Sequence, residues 1–333
     1  MVKALVTGGT GFVGSHVARA LMEAGHTARI LRRPSSPLDL VQDLNVEHAI
    51  GDVLDTESLD RAMQGCEWVF HVAAVSDYWR SDRIKLYLIN VNGTVNVLNA
   101  ARRAGVKRVI FTSSAAAIGI PDAGYSADET HPFNLSSRDF PYAHSKILAE
   151  AEVARCVSEG QDVVIVNPCV VFGPGDLNQI GGSAIVELSR GNVPVFPAGG
   201  VTVIDVRDVA AGHIAAAEWG RTGERYLLGT VDVSHKVISK LIADITQTPI
   251  PVIPVPAFVT PMIALGAGLL RDAGVNLPVD ATQLRLTAKN LFYDCSKARR
   301  ELREPQIELR QSLQDTYDWY VEKGIIGAPK VNA

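Results

Sequence analysis

The sequence predicts an α/β protein in which a doubly wound parallel sheet is joined by a smaller, interleaved C-terminal substrate lobe. An apolar run at residues 2–6 predicts a buried strand that passes through a glycine-rich turn into a helix. Strand and helix patterns then alternate through the first half of the chain, as they do where helices connect parallel strands. The 333 residues suffice for one large core and a smaller appendage. We therefore expect a Rossmann-like fold.

The apolar patterns predict the elements of the first half in order. Strands are expected at residues 2–6, 26–31, 46–50, 68–73, 109–112 and 163–167. Helices are expected at residues 13–24, 56–63, 84–104 and 142–159. Thr56 is the expected cap of the second helix, and Pro141 precedes the last one. Ligands of such sheets lie beyond the carboxyl ends of the strands, which is where we expect the site.

The pattern loosens after Pro168, which predicts two units. Residues 1–167, with parts of 200–230, would form a dinucleotide-binding domain, and residues 168–330 a smaller, interleaved substrate-binding lobe. In this lobe we expect helices near 183–190 and 209–219 and a strand at 201–206. Residues 250–270 carry no charge and are long enough to span a membrane, but four prolines interrupt their first half. We expect a loop and a buried or substrate-covering helix there, without membrane contact.

Composition and charge narrow the class of protein. Hydrophobic residues make up 47% of the chain, the net charge is −4, and no basic block suggests nucleic-acid binding. The four cysteines lie far apart without a Cys-x-x-Cys pair, so we expect reduced thiols and neither a disulfide frame nor a metal site. The first strand leaves no room for a signal peptide, and a cytoplasmic location is expected.

Three glycines in the first turn predict a dinucleotide site. Gly8 allows a tight turn, Gly11 lets backbone N–H groups approach a pyrophosphate, and Gly14 lets the helix pack on the strand. The positive end of the helix would then face the anion. The other cofactor contacts expected in this turn are Thr10, Phe12 and Val13.

The second strand ends in Arg32 and Arg33, where NAD-binding folds usually have an acidic residue that binds the adenosine ribose. An arginine would instead pair with the 2′-phosphate of NADP. The pattern favours NADP(H) over NAD(H), and the alternative is a pair of solvated surface arginines.

The ends of the next two strands offer further cofactor contacts. Asp52, followed by Val53, would meet the adenine amino group, or it is an ordinary turn aspartate. The small apolar residues Val72, Ala73 and Ala74 would form a wall beside the cofactor, or they belong to the core.

Tyr142 and Lys146 are the most informative pair. Four positions apart on a helix, they would share one face and project into one cleft. The lysine charge would lower the pKa of the phenol from about 10, so that Tyr142 could exchange a proton with an alcohol or carbonyl near neutral pH. Lys146 could also donate to ribose hydroxyls. Taken alone, such a pair is usually an ordinary helix surface.

The chain resembles the extended short-chain dehydrogenases/reductases. The resemblance covers residues 2 to about 230 and, more weakly, to about 320. It rests on the Gly8/Gly11/Gly14 spacing, Asp52, the Ser113–Ser114 pair and Tyr142-x-x-x-Lys146. Residues 70–74 and 111–114, with Arg32, are similar to dihydroflavonol-reductase-like and cinnamoyl-CoA-reductase-like enzymes. Residues 90–94 and 205–213 also resemble sugar-epimerase-like proteins associated with hopanoid synthesis.

The resemblance implies a catalytic trio of Ser114, Tyr142 and Lys146. Ser114 is chosen over Ser113 because the family's serine directly precedes an alanine-rich segment, here residues 115–117. Thr112, at the end of the fifth strand, and Pro168, where the family places the nicotinamide carboxamide, are the remaining expected cofactor contacts. No metal is required.

One departure from the family bears on the substrate. Nucleotide-sugar members usually carry an asparagine after the sixth strand to hold a diphosphate, whereas Val170 and Val171 stand there in this chain. An apolar wall cannot satisfy a diphosphate. Ser76, Tyr78 and Trp79 could line an aromatic or aliphatic pocket, or the two aromatic residues simply pack in their loop.

These residues favour an NADP(H)-dependent reductase of a small aldehyde or ketone, with Tyr142 as the proton donor. The alternatives are a nucleotide-sugar epimerase or dehydratase with tightly bound NAD(P), and a non-catalytic dinucleotide sensor. His71 and His144 are interpreted as structural. The helices at 84–104 and 142–159 could pair with their copies in a homodimer, as is common in the family.

Overall fold

A seven-stranded parallel sheet is the centre of the fold. The computed structural model describes residues 1–76, 82–191, 195–249, 253–255 and 286–327. The sheet has the order β10-β6-β5-β4-β1-β2-β3, with every neighbouring pair parallel. Its strands are β1 (Lys3–Thr7), β2 (Thr27–Arg32), β3 (Glu47–Ile50), β4 (Trp68–His71), β5 (Arg108–Thr112), β6 (Val163–Pro168) and β10 (Arg225–Leu228). The order reverses between β1 and β4, which confirms the expected doubly wound topology.

Helices cover both faces of this sheet. They are α1 (Phe12–Glu23), α2 (Thr56–Met63), α3 (Arg83–Tyr87), a π turn (Leu88–Asn92), α4 (Gly93–Arg103), α5 (Pro141–Ser158) and α7 (Val206–Trp219). Alternate residues of β1 belong to different apolar clusters: Ala4 and Val6 pack with α1 and α7, and Leu5 packs with α2, α4 and α5. This alternation explains why the strands are apolar throughout.

A second, smaller group of elements follows β6. In its main sheet β9 (Gly200–Asp205) pairs with β7 (Val170–Phe172), β11 (Val231–Ser234) and β13 (Asn290–Leu291). A two-stranded sheet joins β8 (Val195–Pro197) to β12 (Ile253–Val255). The remaining helices are α6 (Ser183–Ser189), α8 (His235–Thr246), α9 (Ser296–Glu301) and α10 (Leu309–Glu322). The chain returns to the large sheet for β10 between β9 and β11, so the predicted interleaving is confirmed.

Three departures from the expected elements have a local cause. The predicted helix at 84–104 is split by the π turn, which places Asn90 in the interior. Helix α2 is capped by Asp55, whose carboxylate accepts from the Ser58 N–H at 3.2 Å, because Thr56 is already helical. Strand β4 ends at His71 because the Ala73 N–H donates to a side chain, the Thr7 hydroxyl, at 3.2 Å.

Within the described parts of the chain, no helix is long and apolar enough to cross a membrane. Apart from β12, residues 250–270 lie outside the described residues, so the expectation for that stretch stays a prediction.

Candidate functional site

The glycine turn between β1 and α1 is tightly closed. Gly8 has a φ of +68°, and its carbonyl accepts the Gly11 N–H at 2.9 Å. A Cβ on Gly14 would lie 2.2 Å from that same carbonyl oxygen, and a Cβ on Gly8 would lie 2.9 Å from the backbone of Ala73. Gly8 and Gly14 are therefore required by the packing of the turn.

The N-terminus of α1 is suited to an anion. Its N-cap is Gly11, no side chain caps it, and its first turn has no acidic residue. The first N–H groups of a helix, here including Phe12 and Val13, have no intrahelical acceptor. A Cβ on Gly11 would approach only the Gly8 carbonyl, at 3.3 Å. These residues fit the pyrophosphate of a dinucleotide.

Arg32 and Asp52 lie at the carboxyl edge of the sheet, at the ends of β2 and β3. The Arg32 Nε donates to His48 Nδ1 at 3.0 Å, and the Arg32 carbonyl accepts the Gly51 N–H at 3.0 Å. The Asp52 carboxylate accepts the Leu54 N–H at 3.0 Å and so shapes its turn. Both side chains are partly exposed.

Val53, expected near the cofactor, is a core residue by its side chain. It is buried, and its Cγ2 would lie 2.9 Å from a Cβ added to Gly93 of α4. Val53 can therefore offer a cofactor only its backbone.

A chain of hydrogen bonds holds the loop after β4. The Thr94 hydroxyl donates to the Asn90 carbonyl at 2.7 Å, so it accepts from His71 Nε2 at 3.0 Å. His71 Nδ1 then accepts from the Thr7 hydroxyl at 2.8 Å, which in turn accepts the Ala73 N–H. Burial lowers the pKa of His71 to about 3. The neutral histidine is structural, as predicted.

Asn90 is a site residue that the sequence interpretation missed. Its side chain accepts the Val75 N–H at 2.8 Å and donates to the Val75 carbonyl at 3.1 Å. It also donates to the Ser145 hydroxyl at 3.0 Å, and Ser145 donates to the Tyr142 carbonyl at 2.7 Å. Asn90 thereby joins the loop after β4 to α5. The available signal in the sequence was a polar asparagine within the run 84–104 that predicts a helix.

Only some of the other residues that were expected to contact cofactor or substrate in this loop are among the described residues. Val72, Ala73, Ala74 and Ser76 are partly buried. Tyr78 and Trp79 lie outside the described residues, so their proposed contact with substrate stays a prediction.

Ser114, Tyr142 and Lys146 come together at the carboxyl end of β5. The Ser114 hydroxyl is hydrogen-bonded to the Tyr142 phenol. One turn along α5, the Lys146 Nζ donates to the Thr112 carbonyl at 2.8 Å and lies 5.2 Å from the centre of the Phe111 ring. Lys146 is only 2% exposed. The two helix residues share one face, as their spacing predicted.

The pKa of Tyr142 departs from the expectation. Burial raises it, and the hydrogen bond with Ser114 partly offsets this rise. Burial lowers the pKa of Lys146 to about 8, and the negative charge of Glu150 opposes that change. The expectation that Lys146 lowers this pKa is therefore wrong, because desolvation of the phenol is the largest cause of its shift.

The two serines after β5 have different surroundings. The Ser113 hydroxyl donates to the Glu150 carboxylate. Ser114 caps the 3₁₀ turn Ala115–Ala117, and its hydroxyl accepts the Ala116 N–H at 3.2 Å. Only Ser114 is thus bonded to Tyr142, which supports its selection over Ser113.

Thr112 contacts Lys146 through its backbone carbonyl, whereas its hydroxyl contacts His213. His213 Nδ1 donates to the Val209 carbonyl at 2.8 Å, so its Nε2 accepts from the Thr112 hydroxyl at 2.8 Å. Burial lowers the pKa of His213 to about 4, so this ring is neutral.

Pro168 and Val170 lie close together in the chain, at and just after the end of β6, but their surroundings differ. Pro168 ends β6 and is buried beside Leu228 of β10. Val170 begins β7, pairs with Val203 and packs against the apolar cluster of the second sheet. Among the described residues, no group of three or more His, Cys, Asp or Glu is placed to hold a metal ion.

Comparison with known proteins shows which family and which relatives this chain is similar to. Residues 4–229 match the NAD-dependent epimerase/dehydratase family. A putative dihydroflavonol 4-reductase from Synechocystis is 39% identical over 327 residues, which are 96% of this chain and 95% of the relative. A sterol demethylase protein B from Methylococcus capsulatus is 32% identical over 97% of this chain and 99% of its own. Cinnamoyl-CoA reductase 1 of Petunia hybrida is 32% identical over 74% and 78%.

The fold is also similar to those of several solved structures. The crystal structure of gox2253 has a TM-score of 0.86 and 35% identity, covering 97% of this chain and 99% of that one. A nucleoside-diphosphate-sugar epimerase from Pseudomonas aeruginosa has a TM-score of 0.81 and 28% identity, covering 98% and 99%. A dTDP-glucose 4,6-dehydratase from Streptomyces venezuelae with bound NAD has a TM-score of 0.78 and 25% identity, covering 98% and 99%.

Proposed function

This chain belongs to the NAD-dependent epimerase/dehydratase family, and we propose that it is an NADP(H)-dependent oxidoreductase that reduces an aldehyde or ketone to the alcohol. One observation carries the proposal. The Ser114 hydroxyl is hydrogen-bonded to the Tyr142 phenol, and buried Lys146 lies one turn away at the carboxyl edge of a parallel sheet. Members of this family bind a nicotinamide cofactor.

The cofactor would lie along the carboxyl edge of the sheet. The N-terminus of α1 would hold the pyrophosphate, Asp52 the adenine amino group, and Lys146 the nicotinamide ribose. Arg32, an arginine where NAD-binding folds usually have an acid, supports a 2′-phosphate and therefore NADP(H). When bound, the nicotinamide supplies the hydride for reduction and accepts it in the reverse direction.

The residues of this chain would handle the proton and the developing charge. Tyr142 donates its phenolic proton to the carbonyl oxygen of the substrate, and the Ser114 hydroxyl donates a hydrogen bond to the same oxygen. The raised pKa of Tyr142 keeps the phenol protonated before this transfer. The Lys146 ammonium then stabilises the phenolate that remains. Hydride and proton together convert the carbonyl into the alcohol.

The named reductase relatives support a reductase over an epimerase. Val170 and Val171 add a second argument, because they offer no polar group to a sugar diphosphate. A nucleotide-sugar epimerase or dehydratase with retained NAD(P) is the second candidate, and the likeness to the Pseudomonas aeruginosa epimerase favours it. A non-catalytic sensor would not need Tyr142 and Lys146 in this arrangement.

A substrate panel tests the proposal. Aldehydes, ketones and UDP- or dTDP-sugars are each offered with NADPH and with NADH, and the absorbance of the reduced nicotinamide is followed. Net oxidation of added NADPH by a carbonyl compound is the expected result. Turnover of a sugar nucleotide without net consumption, together with NAD(P) released only on denaturation, would establish the second candidate instead.

We also propose a homodimer and a cytoplasmic location. Ile84 is 77% exposed, Leu88 44% and Leu148 37%, and they lie on α3, the π turn and α5. Exposed apolar side chains on neighbouring helices favour burial against a second copy. All four cysteines are free, which is consistent with a reducing compartment. The second sheet and its helices are the proposed substrate lobe.

A further inference from the structure

One face of α5 contacts three consecutive residues at the end of β5. Tyr142 is bonded to Ser114, Lys146 to the Thr112 carbonyl, and the next residue in the series, Glu150, to the Ser113 hydroxyl. The three helix residues are each four positions apart, so they lie one above the other. The proposed mechanism uses Tyr142 and Lys146 but assigns nothing to the buried carboxyl group of Glu150.

The polar side chains that contact Glu150 in the described part of the chain are a hydroxyl, an amide and a guanidinium group. The Ser113 hydroxyl and the Asn167 amide, the latter at 2.8 Å, donate to its Oε1. The Arg225 Nε lies 3.0 Å from its Oε2. An ionised carboxylate accepts at both of its oxygens, whereas a proton on Oε2 would face the Arg225 guanidinium, which carries a positive charge and has no acceptor. Burial at 6% exposure raises the pKa of Glu150, and the Arg225 charge and the hydrogen bonds from Ser113 and Asn167 oppose that rise and favour the ionised form.

Arg225 is itself fixed, so the charge of Glu150 is held in place. The terminal nitrogens of Arg225 donate to the carbonyls of Glu129, at 3.2 Å, and Ala117, at 3.1 Å. Glu150 thus joins α5 to β5, β6 and β10 through three side chains. Removing one partner of a buried charge pair leaves the other uncompensated, which makes such clusters resistant to rearrangement.

The surroundings of Lys146 contain few charged groups. On β5 it meets the Phe111 ring and the Thr112 carbonyl, and from β4 it is faced by His71, which is neutral. On its own helix it is faced by Tyr142 and Glu150, with Arg225 of β10 beyond the carboxylate. Among these groups, Glu150 provides the negative charge that opposes the loss of the lysine proton on burial.

We propose that Glu150 is a positioning residue whose buried carboxylate, held by Ser113, Asn167 and Arg225, keeps Lys146 in the ammonium form beside Tyr142. This inference rests on the proposed function, in which that ammonium group stabilises the phenolate. It assigns a role in the site to a residue that contacts neither substrate nor cofactor.

A direct titration of the lysine tests this role. The protein is labelled with ¹³C and ¹⁵N at the lysine side chains, the Lys146 signal is assigned by its loss in Lys146→Met, and its pKa is measured by NMR. In Glu150→Gln we expect this pKa to fall by about one unit, because the opposite charge one helical turn away on α5 is removed. Glu150→Asp, which keeps the charge on a shorter side chain, should give a value between the other two. Ser113→Ala removes one hydrogen bond but no charge and serves as the matched control.

The outcomes separate charge from architecture. A graded series, with the wild type highest, Asp intermediate and Gln lowest, and with Ser113→Ala near the wild type, supports the proposal. An equal Lys146 pKa in Glu150→Gln and wild type overturns it, as does an equal shift in Ser113→Ala. If Glu150→Gln does not fold, an unchanged pKa in Glu150→Asp overturns it. The NMR titration needs no substrate, so it remains decisive even if the reductase proposal fails. Where activity is found, the alkaline limb of kcat/KM should shift with the pKa.

Discussion

The Lys146 ammonium nitrogen lies 2.8 Å from the backbone carbonyl oxygen of Thr112, at the point where β5 ends. This hydrogen bond joins α5 to β5. It also fixes the lysine charge one helical turn from Tyr142, in a position where Lys146 is almost completely buried. The proposed chemistry depends on this placement, and five predictions follow from the site and its surroundings.

Replacing Tyr142 with Phe should lower kcat for NADPH-linked carbonyl reduction by about 10²–10⁴-fold, because it removes the proton donor. Cofactor affinity and the melting temperature should change little. Tyr87→Phe is the matched control, since that phenol is bonded to His144 on the far side of α5. A near-wild-type rate in Tyr142→Phe would show that another group donates the proton.

Replacing Arg32 with Gln should weaken NADP(H) binding by about 10–100-fold and leave NAD(H) binding nearly unchanged. Hydrogen bonds to charged groups contribute about 1.5–3 kcal/mol, and this one exists only with a 2′-phosphate. Calorimetric titration with 2′,5′-ADP and with 5′-AMP measures the difference. Arg103→Gln, which breaks a surface pair with Asp60, is the control. Equal losses for both ligands would contradict the cofactor assignment.

Gly14→Ala should destabilise the fold and abolish dinucleotide binding. The new Cβ would lie 2.2 Å from the Gly8 carbonyl oxygen, so the turn or the helix must move. Overpacking of this kind costs about 1–3 kcal/mol. Gly327→Ala, where a Cβ meets no atom within 4 Å, should leave the free energy of unfolding unchanged. Urea unfolding and cofactor fluorescence report the two effects separately.

Stability should fall as the pH decreases below about 6.5, through the buried histidines. The pKa of His213 falls from 6.5 to about 4 on folding, so between these values the unfolded chain binds more protons than the native one. The free energy of unfolding therefore rises with pH in this window, by about 3 kcal/mol from His213. His71 extends the window to about pH 3. In urea titrations, His213→Gln should flatten this slope, and an unchanged slope would contradict the assignment.

Ile84→Glu combined with Leu88→Glu should convert the proposed dimer into a monomer, because a charged side chain cannot be buried unpaired in an apolar contact. Light scattering at micromolar concentration measures the mass. Trp219→Glu changes an exposed apolar residue at the end of α7, away from this surface, and should leave the dimer intact. A wild-type protein that is monomeric at this concentration would end the proposal.

Local patterns were sufficient for most of the fold, because buried parallel strands are apolar on both faces and their helices are amphipathic. They were insufficient where a side chain from a distant segment decides where an element ends. Strand β4 stops early because Ala73 bonds to Thr7, and the helix at 84–104 contains a π turn where Asn90 reaches Val75. Neither contact leaves a periodic signal in its own segment.

In the candidate site, too, some features could be predicted from the sequence and others only from the fold. Spacing alone predicted that Tyr142 and Lys146 share a face, since helical geometry depends only on sequence separation. The pKa of the Tyr142 phenol could not be predicted from spacing, because it depends on burial and on which groups come close. The surroundings of Glu150 also needed the fold, since Ser113, Asn167 and Arg225 come from three segments that are distant in the chain.

The amino-acid sequence by itself determined that this chain builds a parallel sheet, a glycine turn before its first helix and a tyrosine–lysine pair, because each follows from residues close in the chain. The tertiary structure decided which serine meets the phenol, where the lysine charge rests and which carboxylate lies beneath it. Those outcomes depend on how α5 is seated against β5, β6 and β10, and that seating arises from long-range packing.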